Sequence, residues 1–209
     1  MRQITVTEAL NELKLYDSKI NKGISNLQVV AAAKKSSSNV GVKTKDIFCK
    51  NAMADYQSVI DLIENRNKIK SAIVKSNAIK EVTINNKTMT VAEAIERKNS
   101  IEYEKLLLNK IRLQYTSEYN IVLKENKRVD SKVDELIATL VGKDTDKKLS
   151  KDDQENVERP YREKNEFDLV DPLDISEKIK LLETEIDGFL SEVDTALSVV
   201  NATTVITVD

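Results

Sequence analysis

Apolar residues recur every seven positions through the middle of the chain. Ala94, Ile101, Leu108, Tyr115, Val122, Val129 and Leu136 fall in one column, and neither Gly nor Pro interrupts residues 91–141. A strict seven-residue spacing keeps one apolar seam against a partner helix over many turns, which a supercoiled helix can sustain. The pattern predicts a helix over 91–141, roughly 76 Å long at about 1.5 Å per residue. A second seam, Ile175, Ile179, Leu182, Ile186, Phe189, Val193, Ala196 and Val200, alternates by four and three and predicts a last helix capped at Asp174, with an antiparallel helix against it.

Shorter signals place the remaining elements. Thr5-Val6-Thr7-Glu8 is a capping box, and Val6, Leu10, Leu13, Ile20, Ile24 and Leu27 follow at helical spacing, with Gly23 weakening this first helix without breaking it. Residues 34–45, KKSSSNVGVKTK, read as a flexible loop. A second helix is predicted over 46–79. In residues 81–90, β-branched alternation flanks Asn85-Asn86, a pair that tolerates positive φ, which predicts a β-hairpin. Thr90-Val91-Ala92-Glu93 is a second capping box, opening the long helix.

Gly142 is a natural stop for that helix. From 142 to 174 more than half of the residues are charged, and Pro160 and Pro172 disfavour helix interiors, so the expectation is a long charged loop. The tail Thr203–Val208 is β-rich and is expected to pair with the hairpin. The fold class is mainly α: long antiparallel helices in a coiled-coil-like bundle, with a small β-hairpin and a C-terminal strand. One elongated helical domain is expected over 1–209.

Composition narrows the chemistry. The 33 basic and 35 acidic residues nearly cancel, so no global field favours nucleic acid or an anionic membrane. No apolar run approaches the length of a membrane-spanning helix. The single cysteine, Cys49, excludes an internal disulfide, and the start of the chain lacks the pattern of a secretion leader, which together predict a cytoplasmic protein. Histidine is absent, removing the commonest general base and zinc ligand. Phosphate-loop glycine patterns are absent too. No catalytic residue, metal site or cofactor is assigned.

Four constellations remain. Lys98, Lys105 and Arg112 stand seven apart beside the seam, with Tyr119 next in line; they can hold an anionic ligand or pair with carboxylates of a neighbouring helix. Arg159, Tyr161 and Arg162 surround Pro160 and form a candidate anion contact with Lys105 and Arg112, or a solvated loop. The acidic residues Asp152, Asp153, Glu155, Glu158, Glu166, Asp168, Asp171 and Asp174 can bind Mg²⁺ only if they converge. Cys49 lacks a histidine partner and reads as a small residue on a helix face.

The segments ITVTEALNELKLYDSKI, SNAIKEVTINNKTMTVAEAIERKNSI and VDPLDISEKIKLLETEIDGFLSEVDTALSVVNATTVI together resemble the septicolysin-like bacterial family. The resemblance implies a helix, a short hairpin leading into a threonine-capped helix, and a last helix with an Asn-containing stop. It also implies a bacterial, phage or prophage setting, and a basic and aromatic segment at Arg159–Arg162. A phage-encoded copy would act in the host cytoplasm.

Three function classes follow. The first is a non-enzymatic structural, assembly or protein-interaction protein acting as a coiled-coil homo-oligomer. The second is an oligomeric binder or inhibitor that sequesters an anionic metabolite or nucleotide. The third is an enzyme that works without histidine. Length supports oligomerisation, because no single internal partner spans the long helix. Its distal residues Tyr115, Tyr119, Val122, Val129, Val133, Leu136 and Leu140 are therefore expected to form a seam against a second copy, with Asn126 setting the register.

Overall fold

The computed structural model describes residues 1–141 and 151–208. In chain order the elements are β1 (Arg2–Thr5), α1 (Val6–Asn26), β2 (Asn39–Val40), β3 (Lys43–Thr44), α2 (Lys45–Ile79), β4 (Glu81–Ile84), β5 (Lys87–Thr90), α3 (Val91–Val141), α4 (Lys151–Asn165), α5 (Ile175–Thr203) and β6 (Val205–Val208). The fold is mainly α, with small two-stranded antiparallel sheets and a C-terminal strand. Where one domain was expected, the chain divides into two compact units, Met1–Asn99 with Gly188–Asp209, and Ser100–Asp187. Two helices, α3 and α5, contribute residues to both, because their apolar columns outrun any single core.

In the first unit, α1 begins where the Thr5 side chain accepts the Glu8 N–H at 3.1 Å and the Glu8 carboxylate accepts the Thr5 N–H at 2.8 Å. These bonds satisfy two backbone donors that a helix start leaves open. The helices α1 and α2 run antiparallel, as Arg66 bonds Asp17 at 2.5 Å and Gly23 faces Val59. A Cβ at Gly23 would stand 2.9 Å from Val59 Cγ2, so the missing side chain lets the helices approach. Val6, Ala9 and Leu13 of α1 pack with Ile69 and Ile73 of α2 and with Ile206 and Val208 of β6. Burying each of the larger aliphatic side chains contributes about 1.5–3 kcal/mol.

The tail strand finds a different mate from the one expected. β6 pairs antiparallel with β1, Arg2 opposite Val208 through Thr5 opposite Val205, and not with the hairpin. Alternation explains the choice: Ile206 and Val208 must face the α1–α2 core, and the Val6 N–H donates to the Thr204 carbonyl at 2.9 Å. Strand β1 is hard to recognise in sequence because Ile4 is its only apolar residue.

Residues 34–45, expected as a loop, contain the β2–β3 hairpin, turned through Gly41 at φ +55°. The following Thr44 caps α2 by accepting the Ile47 N–H. In the β4–β5 hairpin, Asn85 and Asn86 take φ of +48° and +59°, the geometry of a tight two-residue turn. Val82 and Ile84 are buried, and the Asn85 N–H donates to the Glu192 carboxylate of α5 at 2.6 Å. A Cβ on Gly188 would lie 2.6 Å from the Asn85 side chain, so glycine there admits the turn against the helix. Arg97 lies 4.8 Å over the ring of the buried Phe189.

The second unit corrects the reading of 142–174 as a loop. Residues 151–165 form α4 with Pro160 inside it, and the stop at Gly142 lies outside the described residues. Proline deletes one N–H and disfavours the preceding residue's helical conformation, but ion pairs one turn apart offset part of that cost. Arg162 meets Glu158 at 2.6 Å, and Arg159 meets Glu163 at 2.9 Å. Arg162 also bridges to Asp130 of α3 at 2.7 Å.

Beyond α4, residues 166–171 belong to no helix or strand, and Asn126 of α3 holds Phe167 among them. Its side chain accepts the Phe167 N–H at 2.7 Å and donates to the Phe167 carbonyl at 2.9 Å. Asn126 thus fixes this segment of its own chain, the role expected for it between copies. The start of α5 is served by the Asp171 side chain, which accepts the N–H of Ile175 at 2.8 Å and of Leu173 at 3.1 Å, while Asp174 sits at φ +51°. That corrects Asp174 as the capping side chain.

Candidate functional site

Every cation proposed for anion binding has a carboxylate beside it. In the first unit Lys98 pairs with Asp194 at 2.5 Å. In the second, Lys105 pairs with Glu102 at 2.7 Å and Arg112 with Glu183 of α5 at 2.7 Å. The hydrogen bond to Glu158, then that to Asp130, holds the Arg162 guanidinium above its ordinary pKa. Arg112 and Asp130, the residue that anchors Arg162, stand on α3 about 27 Å apart at ~1.5 Å per residue. The structure therefore does not bring Arg159, Tyr161 and Arg162 together with Lys105 and Arg112. Arg112 and Arg162 pair with carboxylates of another helix, whereas Lys105 and Arg159 pair one turn along their own.

The expected seam divides. Val129 and Val133 are 7% and 2% exposed within the single chain. The Arg162–Asp130 bridge ties α4 to this stretch of α3, and Gln154, Val157, Tyr161 and Asn165 are half-buried on α4. Tyr115, Val122 and Leu136 are half-buried, whereas Tyr119 and Leu140 are exposed. The Tyr115 and Tyr119 rings stack at 5.9 Å with 11° between planes. A cavity of about 270 Å³ opens beside Tyr115, lined by Ile111, Leu169, Pro172 and Leu173 among others. It falls just under the ~300–1,000 Å³ usual for small-molecule pockets.

A different face of α3 is open. Tyr103, Leu106, Leu107, Leu113 and Ile121 are exposed, at 76%, 65%, 55%, 71% and 45%. At about 100° per residue these five fall within roughly one third of the helix circumference, away from the buried Ile101 and Leu108. The sequence carries one signal for this face: Leu106-Leu107-Leu108 puts apolar side chains on more sides of the helix than one seam can bury.

Among the described residues no group of three or more His, Cys, Asp or Glu is placed to hold a metal ion. Of the acidic residues singled out, Glu158 and Asp171 are engaged in the bonds above, and Glu166 lies 3.8 Å from Arg162. Cys49 is exposed on α2. No described helix is long and apolar enough to cross a membrane. Comparison with protein-family models, with curated proteins and with solved structures finds no match. The functional reading therefore rests on the chain's own surfaces.

Proposed function

We propose that this chain is a non-enzymatic structural or assembly protein that works through helix–helix contact as a homo-oligomer, with the outer face of α3 as its contact surface. The observation that carries this reading is the row Tyr103, Leu106, Leu107, Leu113 and Ile121, which no described element covers enough to bury. Large apolar side chains clustered on one exposed face mark interaction surfaces in soluble proteins. Burying each contributes about 1.5–3 kcal/mol, so a few of them offset much of the entropy lost on association. A second copy presents the same face, and symmetric pairing of identical patches is the commonest way soluble chains assemble.

Light scattering and sedimentation test the proposal. The wild type should have a mass that is a multiple of 23.6 kDa. Leu106→Glu combined with Leu113→Glu should lower that mass to the monomer while the helical circular dichroism stays constant. A wild type that is monodisperse at the monomer mass across the micromolar range removes the homo-oligomer from consideration.

A further inference from the structure

In the first unit, a groove of about 850 Å³ runs between one face of α2 and the outer edge of β6. Its α2 wall carries Glu64, Lys68, Ala72, Lys75 and Ile79, spaced three and four apart, and ends at Lys80. Its other wall is the strand Val205–Val208. The register of β1 and β6, with the Val6 N–H donated to Thr204, makes Ile206 and Val208 the residues that exchange hydrogen bonds with β1. The N–H and C=O groups of Val205 and Thr207 therefore point away from β1, into the groove. No described strand pairs with that edge.

The charges lining the groove are one-sided. Among the described residues, Lys68, Lys75 and Lys80 have no carboxylate within ion-pair distance and Glu64 is the one acidic residue lining the groove. This contrasts with Lys98, Lys105, Arg112, Arg159 and Arg162, each of which has a carboxylate partner. We infer that the groove is a docking site for an extended acidic peptide segment of a partner protein, which adds as a third strand beside β6. Backbone bonds to Val205 and Thr207 would supply affinity, and carboxylates facing Lys68 and Lys75 would supply selectivity. Ile79 and Val205, 81% and 57% exposed, would cover apolar positions of the segment. A second copy of the chain is disfavoured as occupant, because edge-to-edge pairing of β6 would bring two sets of lysines towards each other. The inference is independent of the α3 face.

Fluorescence anisotropy with a short labelled peptide alternating Glu and Val tests it, against the same peptide with Lys for Glu. The acidic peptide should bind and the basic one should not, and binding should weaken as salt shortens the Debye length from ~10 Å at 0.1 M to ~3 Å at 1 M. Lys68→Glu with Lys75→Glu should weaken it at least about tenfold, and Lys124→Glu, in the second unit, should leave it unchanged. Thr207→Pro removes an edge donor without altering charge and should abolish binding; an acidic peptide N-methylated at alternate amides should fail equally on the unaltered protein, whatever the proline does to folding. The inference is overturned if the wild type binds neither peptide or both alike. It is overturned as well if the N-methylated peptide binds undiminished, which reduces the contact to plain charge attraction. A change of oligomer mass in the lysine variant, with no change in peptide binding, would assign the groove to a copy–copy contact instead.

Discussion

At the scale of single residues, the turns and caps depend on side chains that local sequence specifies. Asn85 and Asn86 occupy left-handed backbone positions, which asparagine accepts and β-branched residues resist. Asn86→Gly should leave the melting temperature unchanged or slightly raised, and Asn86→Val should destabilise the hairpin by about 1–2 kcal/mol. Denaturant melts of both variants check this, and an equal effect of the two would contradict the turn assignment. The Glu93 carboxylate accepts the Thr90 N–H at 2.7 Å and the Thr90 hydroxyl at 3.0 Å; the backbone bond, then the hydroxyl bond, pulls its pKa below the usual glutamate range. A carboxylate depressed in the folded state adds stability above the unfolded pKa, ~4.3, and that stability is lost as pH falls through the lower folded value. The Thr90 amide resonance should therefore titrate with a midpoint below ~4.3, and Glu93→Gln should remove the step while keeping the cap. A midpoint at or above that value would show that the bond does not form.

At the scale of elements, α4 and β6 show where local sequence and tertiary packing part. Pro160 stands where an unstrained helix would donate an N–H to Asn156, and the helix persists through charge pairs and its contact with α3. Pro160→Ala should restore that bond and raise stability, by up to ~3 kcal/mol, with a gain in helical circular dichroism. Loss of helix in that variant would mean that proline sets the local geometry. The α1–α2–β6 core makes the opposite case, being continuous and apolar. Ile69→Ala should cost about 2–5 kcal/mol, against little change for the exposed Lys70→Ala. Comparable melts for these two would place Ile69 outside the core.

At the scale of the whole molecule, the two apolar faces of α3 should respond differently to charge. Val129 is buried inside one chain, so Val129→Asp should lower the melting temperature at every protein concentration. Leu113 is exposed in the single chain, so Leu113→Glu should change the concentration dependence of melting and leave the dilute limit where it is. The reverse pattern would return the association surface to the distal column of Val129 and Leu136.

Much of this fold is legible in local sequence because its signals are local. Two Thr-x-x-Glu boxes, an Asn-Asn turn and an apolar column uninterrupted by Gly or Pro determine where α1, the β4–β5 hairpin and α3 begin, through hydrogen bonds that span three or four residues. What sequence left open involves partners distant along the chain. Tertiary structure decided that β6 joins β1 rather than the hairpin, since the α1–α2 core selects which face of the strand turns inward. It decided that a charged, proline-containing stretch is helical, through Arg162 reaching Asp130. It also decided which apolar face of α3 stays open: periodicity marks a residue as apolar, but only packing settles whether its own chain covers it.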